Sequence, residues 1–537
     1  MTKGMVCAPQ PEAVEAGVLV LSKGGNAVDA AIACAMVQTV VDPQMCGIAG
    51  FGSMHLFLPQ HQQAHLFIDF HGRAPMAATE SMWAEEIVRE TEDGFGFILK
   101  RHVNDIGYQS ITSPGTLMAF GEALERYGTL ALNEILEPAI AYCEQGFVVR
   151  PRVSSYWNLV ESAGRLAHSE RLRRDPATAR IYLKSDGSLF APGERLINKD
   201  MGQTYRRIAA EGIDSFYNGA IAREIDADMK ANGALLAYAD LAGYQTEQQS
   251  PLWGTYRGYR IATNHLPGGG TMVLEMLNIL EQFDLRELGH NTPGYIATVA
   301  EAMKIATVDK DERMGDPRFV DVPLEELLSA DYAHEQSNKI KRGEKTHVPR
   351  YLHGADNKNT THVCTVDEHG ACVSMTHSLG NPSGVVTEGL GFMYNGCMNV
   401  FDPRPGRVDS IAPGKSRFTA MSPTMVFKDD KPYLIIGAPG GTYITMGVLQ
   451  GILNVIDFDM DAQQAVSAPR FCVTSDVIDL TNRIPGYVET ELNALGYATR
   501  RGYFSFGFAG VHAIRIGTGG WDGGADPGLD GMALQTP

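Results

Sequence analysis

The sequence predicts a mixed α/β protein in which β-sheets are covered by helices. Three observations support this fold class. The first is a mainly helical region from Ser113 to about Asp331. The second is a change near Asp356, after which short β-rich segments flank turn signals. The third is an apolar, helix-like segment that follows Gly440-Gly441. Helices, then hairpins, then a further helix are typical of sheets packed against helical layers.

The N-terminal elements are predicted from a turn signal and two apolar runs. Gly24-Gly25-Asn26 marks a turn, and the following Ala27–Val41 is almost wholly apolar and rich in alanine. This composition predicts a helix buried on most sides, in which small residues let neighbouring elements approach closely. Residues 53–57 follow a glycine-rich stretch and have the composition of a strand. Because a strand follows these glycines, the stretch does not match the dinucleotide-binding pattern.

Two hairpins and a helix are predicted in the last third of the chain. Residues 362–366 and 372–376 are β-rich and flank the turn Asp367-Glu368-His369-Gly370. Residues 424–427 and 433–436 flank a second turn at Asp429-Asp430. Residues 445–458 then predict a helix.

Composition and charge limit the classes of partner. The chain has 537 residues and a formal net charge of -18, and an acidic surface repels nucleic acid and anionic membranes. No apolar run is long enough to cross a bilayer, and the first residues lack the apolar core of a secretory signal. The eight cysteines and fifteen histidines show no metal-binding or redox spacing. We therefore expect a reduced, cytoplasmic protein with no metal, no other cofactor, and no nucleic-acid or membrane partner.

The most informative stretch is Asn359-Thr360-Thr361-His362, which lies directly ahead of the first hairpin. Cleavage between Asn359 and Thr360 would give Thr360 a free α-amino group. That amine can take the proton of the same residue's hydroxyl, so one residue supplies both the nucleophile and the base. The alternative is a strand that enters a hairpin and has no chemical role.

The pair Gly440-Gly441 ends a buried strand and precedes a helix. A turn of this kind can direct backbone N–H groups at one point and stabilise a developing oxyanion. The alternative is a tight strand-to-helix turn.

His71 and Arg73 form a second candidate group. In an extended segment these two side chains would project to the same side, where they could bind a substrate carboxylate. A surface loop with a solvated arginine is the alternative, and both interpretations stay open.

Eight short motifs follow one another along almost the whole chain: Gly24-Gly25-Asn26-Ala27-Val28-Asp29-Ala30-Ala31, Arg73-Ala74-Pro75, Ser113-Pro114-Gly115, Gly315-Asp316-Pro317, Thr360-Thr361-His362, Met421-Ser422-Pro423-Thr424, Pro439-Gly440-Gly441 and Gly524-Ala525-Asp526-Pro527. Together they resemble the γ-glutamyltransferase family of N-terminal-nucleophile hydrolases. Each motif alone is weak evidence for this family, but the occurrence of all eight in the family's order is specific.

The resemblance implies a four-layer αββα sandwich. It also implies a precursor that is cut before Thr360 into a large subunit, residues 1–359, and a small subunit, residues 360–537, which form one intertwined domain. Further oligomerisation stays open. By position, Thr360 would be the nucleophile, Thr376 would hydrogen-bond and activate it, and Gly440 and Gly441 would form the oxyanion hole.

The resemblance also assigns the substrate-binding side of the site. Ser378, Asn381 and Thr419 would contact substrate by position. Family transferases hold the glutamyl α-carboxylate with an arginine directly after an Asp-Phe pair. His71 takes that place in this chain, and Arg73 lies two residues further on.

The positions that would hold an α-amino group differ from the family pattern. Val400 stands where the family has an acidic residue, Cys397 where it has an amide, and Ala420 replaces a serine. A desolvated ammonium without a partner costs roughly 3–5 kcal/mol. The sequence therefore favours an amidohydrolase for a small carboxylate-bearing amide that lacks an α-amino group. Within the family that the chain resembles, oxamate amidohydrolase is the best specific candidate, and cephalosporin-type acylases are another branch.

Two alternatives remain at this point. One is a γ-glutamyltransferase or glutathione hydrolase with an altered amino-group site. The other is a non-catalytic family member that is never processed. A test for processing distinguishes the non-catalytic alternative from the two enzyme hypotheses. A comparison of substrates distinguishes the transferase or glutathione hydrolase from the amidohydrolase.

Overall fold

The computed structural model describes residues 2–91, 94, 96–160, 164–349 and 360–537. Its strands are β1 (Gly4–Ala8), β2 (Phe51–Leu58), β3 (Ala64–Phe70), β4 (Ile87–Glu90), β5 (Phe97–Leu99), β6 (Phe147–Val148), β7 (Arg195–Leu196), β8 (Glu247–Gln249), β9 (Leu252–Tyr256), β10 (Tyr259–Thr263), β11 (Thr361–Asp367), β12 (Cys372–Ser378), β13 (Thr424–Lys428), β14 (Lys431–Gly437), β15 (Phe471–Cys472), β16 (Val477–Leu480), β17 (Ala498–Arg501), β18 (His512–Gly517), β19 (Gly520–Ala525) and β20 (Met532–Gln535).

The helices surround these strands. They are α1 (Pro11–Ser22), α2 (Ala27–Val41), α3 (Thr116–Tyr127), α4 (Leu132–Gln145), α5 (Pro151–Trp157), α6 (His168–Arg174), α7 (Pro176–Tyr182), α8 (Lys199–Glu211), α9 (Asp214–Tyr217), α10 (Ala220–Ala231), α11 (Tyr238–Ala242), α12 (Gly270–Leu280), α13 (Leu285–Leu288), α14 (Pro293–Arg313), α15 (Leu324–Leu327), α16 (Ala330–Lys341), α17 (Ile444–Ile456), α18 (Ala462–Ser467) and α19 (Gly486–Ala494).

Two large sheets form the centre of the molecule. The first has the strand order β20-β1-β11-β12-β2-β3-β8, and the second has the order β19-β18-β14-β13-β10-β9. Neighbouring strands within both sheets are antiparallel. Both sheets contain strands from before and after Thr360, so the two parts of the chain are intertwined.

The sheets pack face to face and helices cover their outer faces. Apolar side chains such as Cys7, Val366, Met425 and Ile435 fill the space between the sheets. A large apolar cluster joins the first sheet to α1, α2, α4 and α8, and another joins the second sheet to α12, α14 and α17. The result is the four-layer αββα arrangement, so the fold class expected from the sequence is confirmed.

Helix α2 has the bounds expected from the sequence. Its N-terminus is closed by a capping box, in which the Asn26 side chain accepts from the Val28 and Asp29 N–H groups and Asp29 accepts from the Asn26 N–H. Every residue of α2 is buried, because the helix lies between α1 and the first sheet. Its alanines allow this close packing.

The region from Ser113 to about Asp331 is mainly helical, as expected, but it also contains the five short strands β6 to β10. Strands β9 and β10 lie inside it and form the edge of the second sheet. They are joined by the turn Arg257-Gly258, in which both residues have positive φ. Aromatic and β-branched residues on both sides of this turn are a hairpin signal that the helical pattern of the surrounding region concealed.

The eight cysteines are buried and unbridged. Within the described ranges, no helix is long and apolar enough to cross a membrane.

Candidate active site

Thr360 lies immediately before β11, where it faces the end of β12. Thr361 pairs with His377 and His362 with Thr376 in this antiparallel ladder, so the residue opposite Thr360 is Ser378. The Thr360 hydroxyl donates to Ser378 Oγ across 3.3 Å. The Gly380 N–H donates to the same oxygen across 2.8 Å, which fixes the Ser378 side chain. Ser378 is therefore the hydroxyl group that orients the Thr360 side chain.

Thr376 has a different partner from the one that the sequence suggested. Its hydroxyl and Nδ1 of His362 lie 2.8 Å apart. Burial lowers the pKa of His362 well below its usual value, so this ring is neutral. Thr376 and Ser378 point to the same face of β12 because they are two residues apart. The strand register places Ser378, rather than Thr376, opposite Thr360, and this corrects the expected activating role of Thr376.

The Gly440-Gly441 turn lies beside Thr360. Gly440 has φ +141° and Gly441 has φ +58°, and both values favour glycine. A single 3₁₀ turn, Gly441–Tyr443, leads directly into α17. Backbone N–H groups at the start of a helix have no partner in the helix and can bind an anion. The turn is thus suited to the oxyanion role that the sequence assigned to it.

Two cavities meet at Thr360. We call the first the arginine cavity; it has an empty volume of about 420 Å³. It is lined by Phe51, Arg165, Thr360, Ser378, Gly380, Asn381, Asn399, Val400, Arg417, Thr419, Ala420, Met421, Gly441 and Ile444. The second cavity also reaches Thr360 and includes Gly440. Thr360 and the glycine turn therefore lie on the border between the two cavities.

The arginine cavity has two guanidinium groups in its wall. Its lining contains Arg165 and Arg417, and none of its lining residues among the described part of the chain is acidic. Arg417 is buried, its guanidinium lies 4.8 Å above the Phe51 ring, and its Nη1 donates to the Phe418 carbonyl oxygen across 2.8 Å. These contacts hold the guanidinium in place at the cavity wall.

A buried acid, Asp105, lies behind this wall and is already neutralised. Its carboxylate pairs with Arg171 and accepts from Asn399 Nδ2 across 2.8 Å and from Asn381 Nδ2 across 3.3 Å. Burial raises the pKa of Asp105, but the nearby Arg171 and Arg165 outweigh burial and hold that pKa below its usual value. Asp105 therefore orients the two lining amides of Asn381 and Asn399.

The structure brings together three of the substrate-binding residues proposed from the sequence. Ser378, Asn381 and Thr419 all line the arginine cavity next to Thr360. Val400 and Ala420 line the same cavity. The apolar replacements at the amino-group positions are therefore in contact with the space that a substrate would fill.

Arg73 and His71 are placed elsewhere. Arg73 pairs with Glu247 across 2.9 Å, donates to the Gln245 carbonyl oxygen, and stacks on Tyr244. Burial lowers the pKa of His71 to about 3, so its ring is neutral at physiological pH. Neither residue lines the arginine cavity. Their expected role as a cationic site for a carboxylate is corrected, since one guanidinium is already neutralised and the imidazole carries no charge.

Arg417 and Arg165 line the candidate site but were not identified from the sequence. Arg417 stands two residues before Thr419, and this proximity was the available signal. Arg165 gave no local signal, because it reaches the cavity from a segment almost 200 residues before Thr360 in the chain. Asn359 lies outside the described residues. Within them, no group of three or more His, Cys, Asp or Glu side chains is arranged to hold a metal ion.

Replacing Ser378 by alanine should slow both self-cleavage and turnover. The loss of a hydrogen bond that orients the nucleophile is worth about 1–3 kcal/mol, or roughly 5- to 150-fold in rate. Steady-state kcat and the fraction of cut chain on a denaturing gel measure the effect, and Ser378→Thr should retain most activity.

The matched control is Thr376→Ala. It leaves the buried His362 without its hydroxyl partner, so it should lower the melting temperature more than kcat. If both variants are folded and Thr376→Ala loses more kcat than Ser378→Ala, Thr376 would again be the residue expected to activate Thr360.

The fold and this site define an N-terminal-nucleophile hydrolase. A family model described as gamma-glutamyltranspeptidase matches residues 13–536. The chain belongs to this family.

Curated relatives and solved structures agree with this assignment. The chain is 38% identical over 508 residues to the acylase ACY 1 proenzyme of Pseudomonas sp. strain SE83, covering 93% of this chain and 88% of that protein. It is 31% identical to the glutathione hydrolase proenzyme of Bacillus subtilis strain 168, covering 99% of this chain and 91% of the relative. The crystal structure of a cephalosporin acylase from Bacillus halodurans superimposes with a TM-score of 0.87 at 29% identity, covering 99% of this chain and 96% of that one.

Proposed function

We propose that this protein is a precursor that cleaves itself before Thr360 and then hydrolyses an amide whose acyl part ends in a carboxylate. One observation carries the proposal: Thr360 and Gly441 line the same cavity as Arg417 and Arg165, and Gly440 lines the adjoining cavity that also reaches Thr360. The names of the relatives, which are proenzymes of acylases and glutathione hydrolases, support the processing step and the amide chemistry.

Self-cleavage needs the Thr360 hydroxyl and one water molecule. The Thr360 oxygen attacks the Asn359 carbonyl carbon, the C–N bond breaks, and the acyl group moves from nitrogen to oxygen. Water then opens the ester, which leaves a carboxylate on Asn359 and a free α-amine on Thr360. The products are a large subunit, residues 1–359, and a small subunit, residues 360–537.

Amide hydrolysis uses the same atoms. The Thr360 α-amine takes the hydroxyl proton, and the oxygen attacks the amide carbon. Backbone N–H groups of the Gly440-Gly441 turn hold the negative oxygen. The C–N bond breaks as the amine part takes the proton, and water then releases the acyl group as an acid. Ser378 orients the nucleophile through both steps.

The arginine cavity sets the acyl preference. A carboxylate at the end of the acyl chain can pair with Arg417, and arginine binds carboxylates through two parallel hydrogen bonds. An α-ammonium on the same chain would meet two guanidinium groups and the apolar Val400. Both contacts disfavour a γ-glutamyl group relative to a glutaryl group of equal length.

Oxamate stays the smallest candidate of this class, and a five-carbon dicarboxylic monoamide is the larger one. The relatives named acylases support hydrolysis of an acyl amide. A glutathione hydrolase or γ-glutamyltransferase is the second candidate, and it is favoured by the relatives that carry that name.

The test compares glutaryl-p-nitroanilide with γ-glutamyl-p-nitroanilide. These substrates share the leaving group and the acyl length and differ only in the α-ammonium group. We expect kcat/KM for the glutaryl compound to be higher by roughly 10²-fold or more, which corresponds to an unpaired ammonium cost of about 3–5 kcal/mol. Release of p-nitroaniline measures both rates.

Oxamate and glutathione complete the panel, with ammonia and glutamate release as readouts. Butyryl-p-nitroanilide, which lacks the carboxylate, is the control for acyl-chain length and should be a poor substrate. Efficient use of the γ-glutamyl compound, with transfer to a dipeptide acceptor, would contradict the proposal and favour the second candidate.

A further inference from the structure

The second cavity at Thr360 is much larger than the arginine cavity and differs from it in chemistry. Its empty volume is about 1010 Å³. We call it the aromatic cavity. Its lining residues are Pro9, Gln10, Asp42, Met45, Arg152, Thr360, Pro439, Gly440, Tyr443, Thr481, Gly502, Phe504, Phe506, Gly507, Phe508, Ala509, Gly510, Asp526, Gly528 and Leu529. The mechanism described above uses only Thr360 and Gly440 of this set.

Four aromatic rings dominate the wall of this cavity. They belong to Tyr443 and to Phe504, Phe506 and Phe508 of one loop, residues 502–510. The ring of Phe508 packs edge-to-face on Tyr443, with the centroids 5.6 Å apart. Aromatic faces and edges of this kind bind flat apolar groups.

The charged groups of the aromatic cavity offset each other, unlike those of the arginine cavity. Asp526 is paired with the buried Arg470, and Asp42 accepts from Gln10 Nε2 across 2.9 Å. Arg152 adds one positive charge against the Asp42 carboxyl. The aromatic cavity therefore has no excess of arginine that would attract the acyl carboxylate.

The loop that carries the phenylalanines is anchored to the catalytic turn. The Gly510 N–H donates to the Pro439 carbonyl oxygen across 2.9 Å, and the Gly502 N–H donates to the Leu480 carbonyl oxygen across 2.8 Å. A Cβ on Gly440 would lie only 2.5 Å from the Cα atom of Ala509. The loop backbone thus packs directly against Gly440, the residue assigned to the oxyanion hole. The wall of the aromatic cavity is therefore continuous with the candidate active site.

We propose that the aromatic cavity binds the amine part of the substrate, and that this part is a flat apolar or aromatic amine. The inference rests on the proposed function, since it follows from where the acyl part lies. When Thr360 attacks an amide, the acyl chain and the amine lie on opposite sides of the reacting carbon. A carboxylate held by Arg417 directs the acyl chain into the arginine cavity, so the amine enters the aromatic one.

This assignment separates two classes of amide. Oxamate and other primary amides release ammonia and leave the aromatic cavity without a substrate group. An N-substituted amide fills it and gains contacts with Phe504, Phe506 and Tyr443. The inference therefore favours an N-substituted amide with an aromatic or cyclic amine.

The experiment compares the N-methylamide and the N-(2-phenylethyl)amide of glutaric acid. Both release alkylamines of similar basicity, so the chemical step is matched and only the group in the aromatic cavity differs. We expect kcat/KM to be at least about tenfold higher for the phenylethylamide, because each ring contact contributes about 2- to 12-fold. Amine release measured by chromatography gives both values.

Two variants test the cavity itself. Phe504→Ala removes a ring that is 44% exposed, and Phe506→Ala removes a second lining ring. Each should lower the ratio of the two kcat/KM values by about 3-fold or more. The matched control is Tyr487→Ala on α19, which removes a ring that is 59% exposed and lies outside the cavity, and it should leave the ratio unchanged.

The outcomes separate this inference from the proposed function. If the wild type hydrolyses both amides with equal kcat/KM, the proposed function stands and the amine assignment is overturned. If it hydrolyses neither, the proposed function fails and the inference falls with it. A preference that survives unchanged in both phenylalanine variants would also overturn the assignment.

Discussion

A Thr360→Ala protein is expected to stay as one uncut chain of 537 residues and to lose amide hydrolysis. Alanine has no hydroxyl, so it can neither attack the Asn359 carbonyl nor carry an acyl group. Removal of a hydrolase nucleophile typically lowers kcat by about 10⁴–10⁶-fold. A denaturing gel measures the processing, and p-nitroaniline release from glutaryl-p-nitroanilide measures the turnover.

Thr360→Ser is the matched control for this variant. It keeps the hydroxyl and the future α-amine and removes only a methyl group, so it should still be processed, although more slowly. Circular dichroism should show that Thr360→Ala is folded, since Thr360 lies before the first residue of β11. Two fragments from folded Thr360→Ala would show that another residue or a protease makes the cut.

An Arg417→Ala variant is expected to lower kcat/KM for glutaryl-p-nitroanilide by about 10²–10³-fold. The buried guanidinium is held beside the cavity by Phe51 and Phe418, so its loss removes a positioned partner of the acyl carboxylate. Breaking a buried charge pair costs about 3–5 kcal/mol, and each 1.4 kcal/mol changes the rate tenfold. The loss should appear mainly in KM if the pair forms equally in the ground state and the transition state.

The readout that separates binding from packing is the ratio of glutaryl to butyryl turnover. Butyryl-p-nitroanilide has no carboxylate, so Arg417→Ala should lose far less activity toward it, and the ratio should fall. Arg417→Lys keeps the charge without the planar geometry of the guanidinium. Its ratio of glutaryl to butyryl turnover should lie between those of the wild type and Arg417→Ala. Equal losses on both substrates would mean that Arg417 supports the site only by packing.

Arg73→Ala provides a second comparison. Arg73 pairs with Glu247 and lies outside the arginine cavity, so its removal should leave the ratio near the wild-type value. A fall in the ratio as large as that of Arg417→Ala would restore Arg73 as the carboxylate partner.

Local features of the chain could be predicted from the sequence. The apolar run Ala27–Val41 became α2, and the turn Asp367-Glu368-His369-Gly370 became the connection between β11 and β12. Both depend on residues that are close in the chain, where composition and turn chemistry decide the structure. The position of Thr360 ahead of this hairpin could be predicted for the same reason.

Features that depend on strand register, or on contacts between residues distant in the chain, could not be predicted from the sequence. Thr376 and Ser378 share a face of β12, and only the pairing with β11 selects Ser378 as the partner of Thr360. Arg73 looked available for a carboxylate until the fold placed Glu247, 174 residues later, beside it. Arg417 faces the cavity because the segment before Thr419 packs on Phe51, and no local pattern indicates that contact.

The most direct test of the central claim is an intact-mass measurement of the purified protein, quenched with acid during turnover of glutaryl-p-nitroanilide. We expect two polypeptides, residues 1–359 and 360–537, with a glutaryl ester on the Thr360 hydroxyl of the smaller one after peptide mapping. A single uncut chain that still turns over the substrate, or an acyl group on another residue, would contradict Thr360 as the self-generated nucleophile.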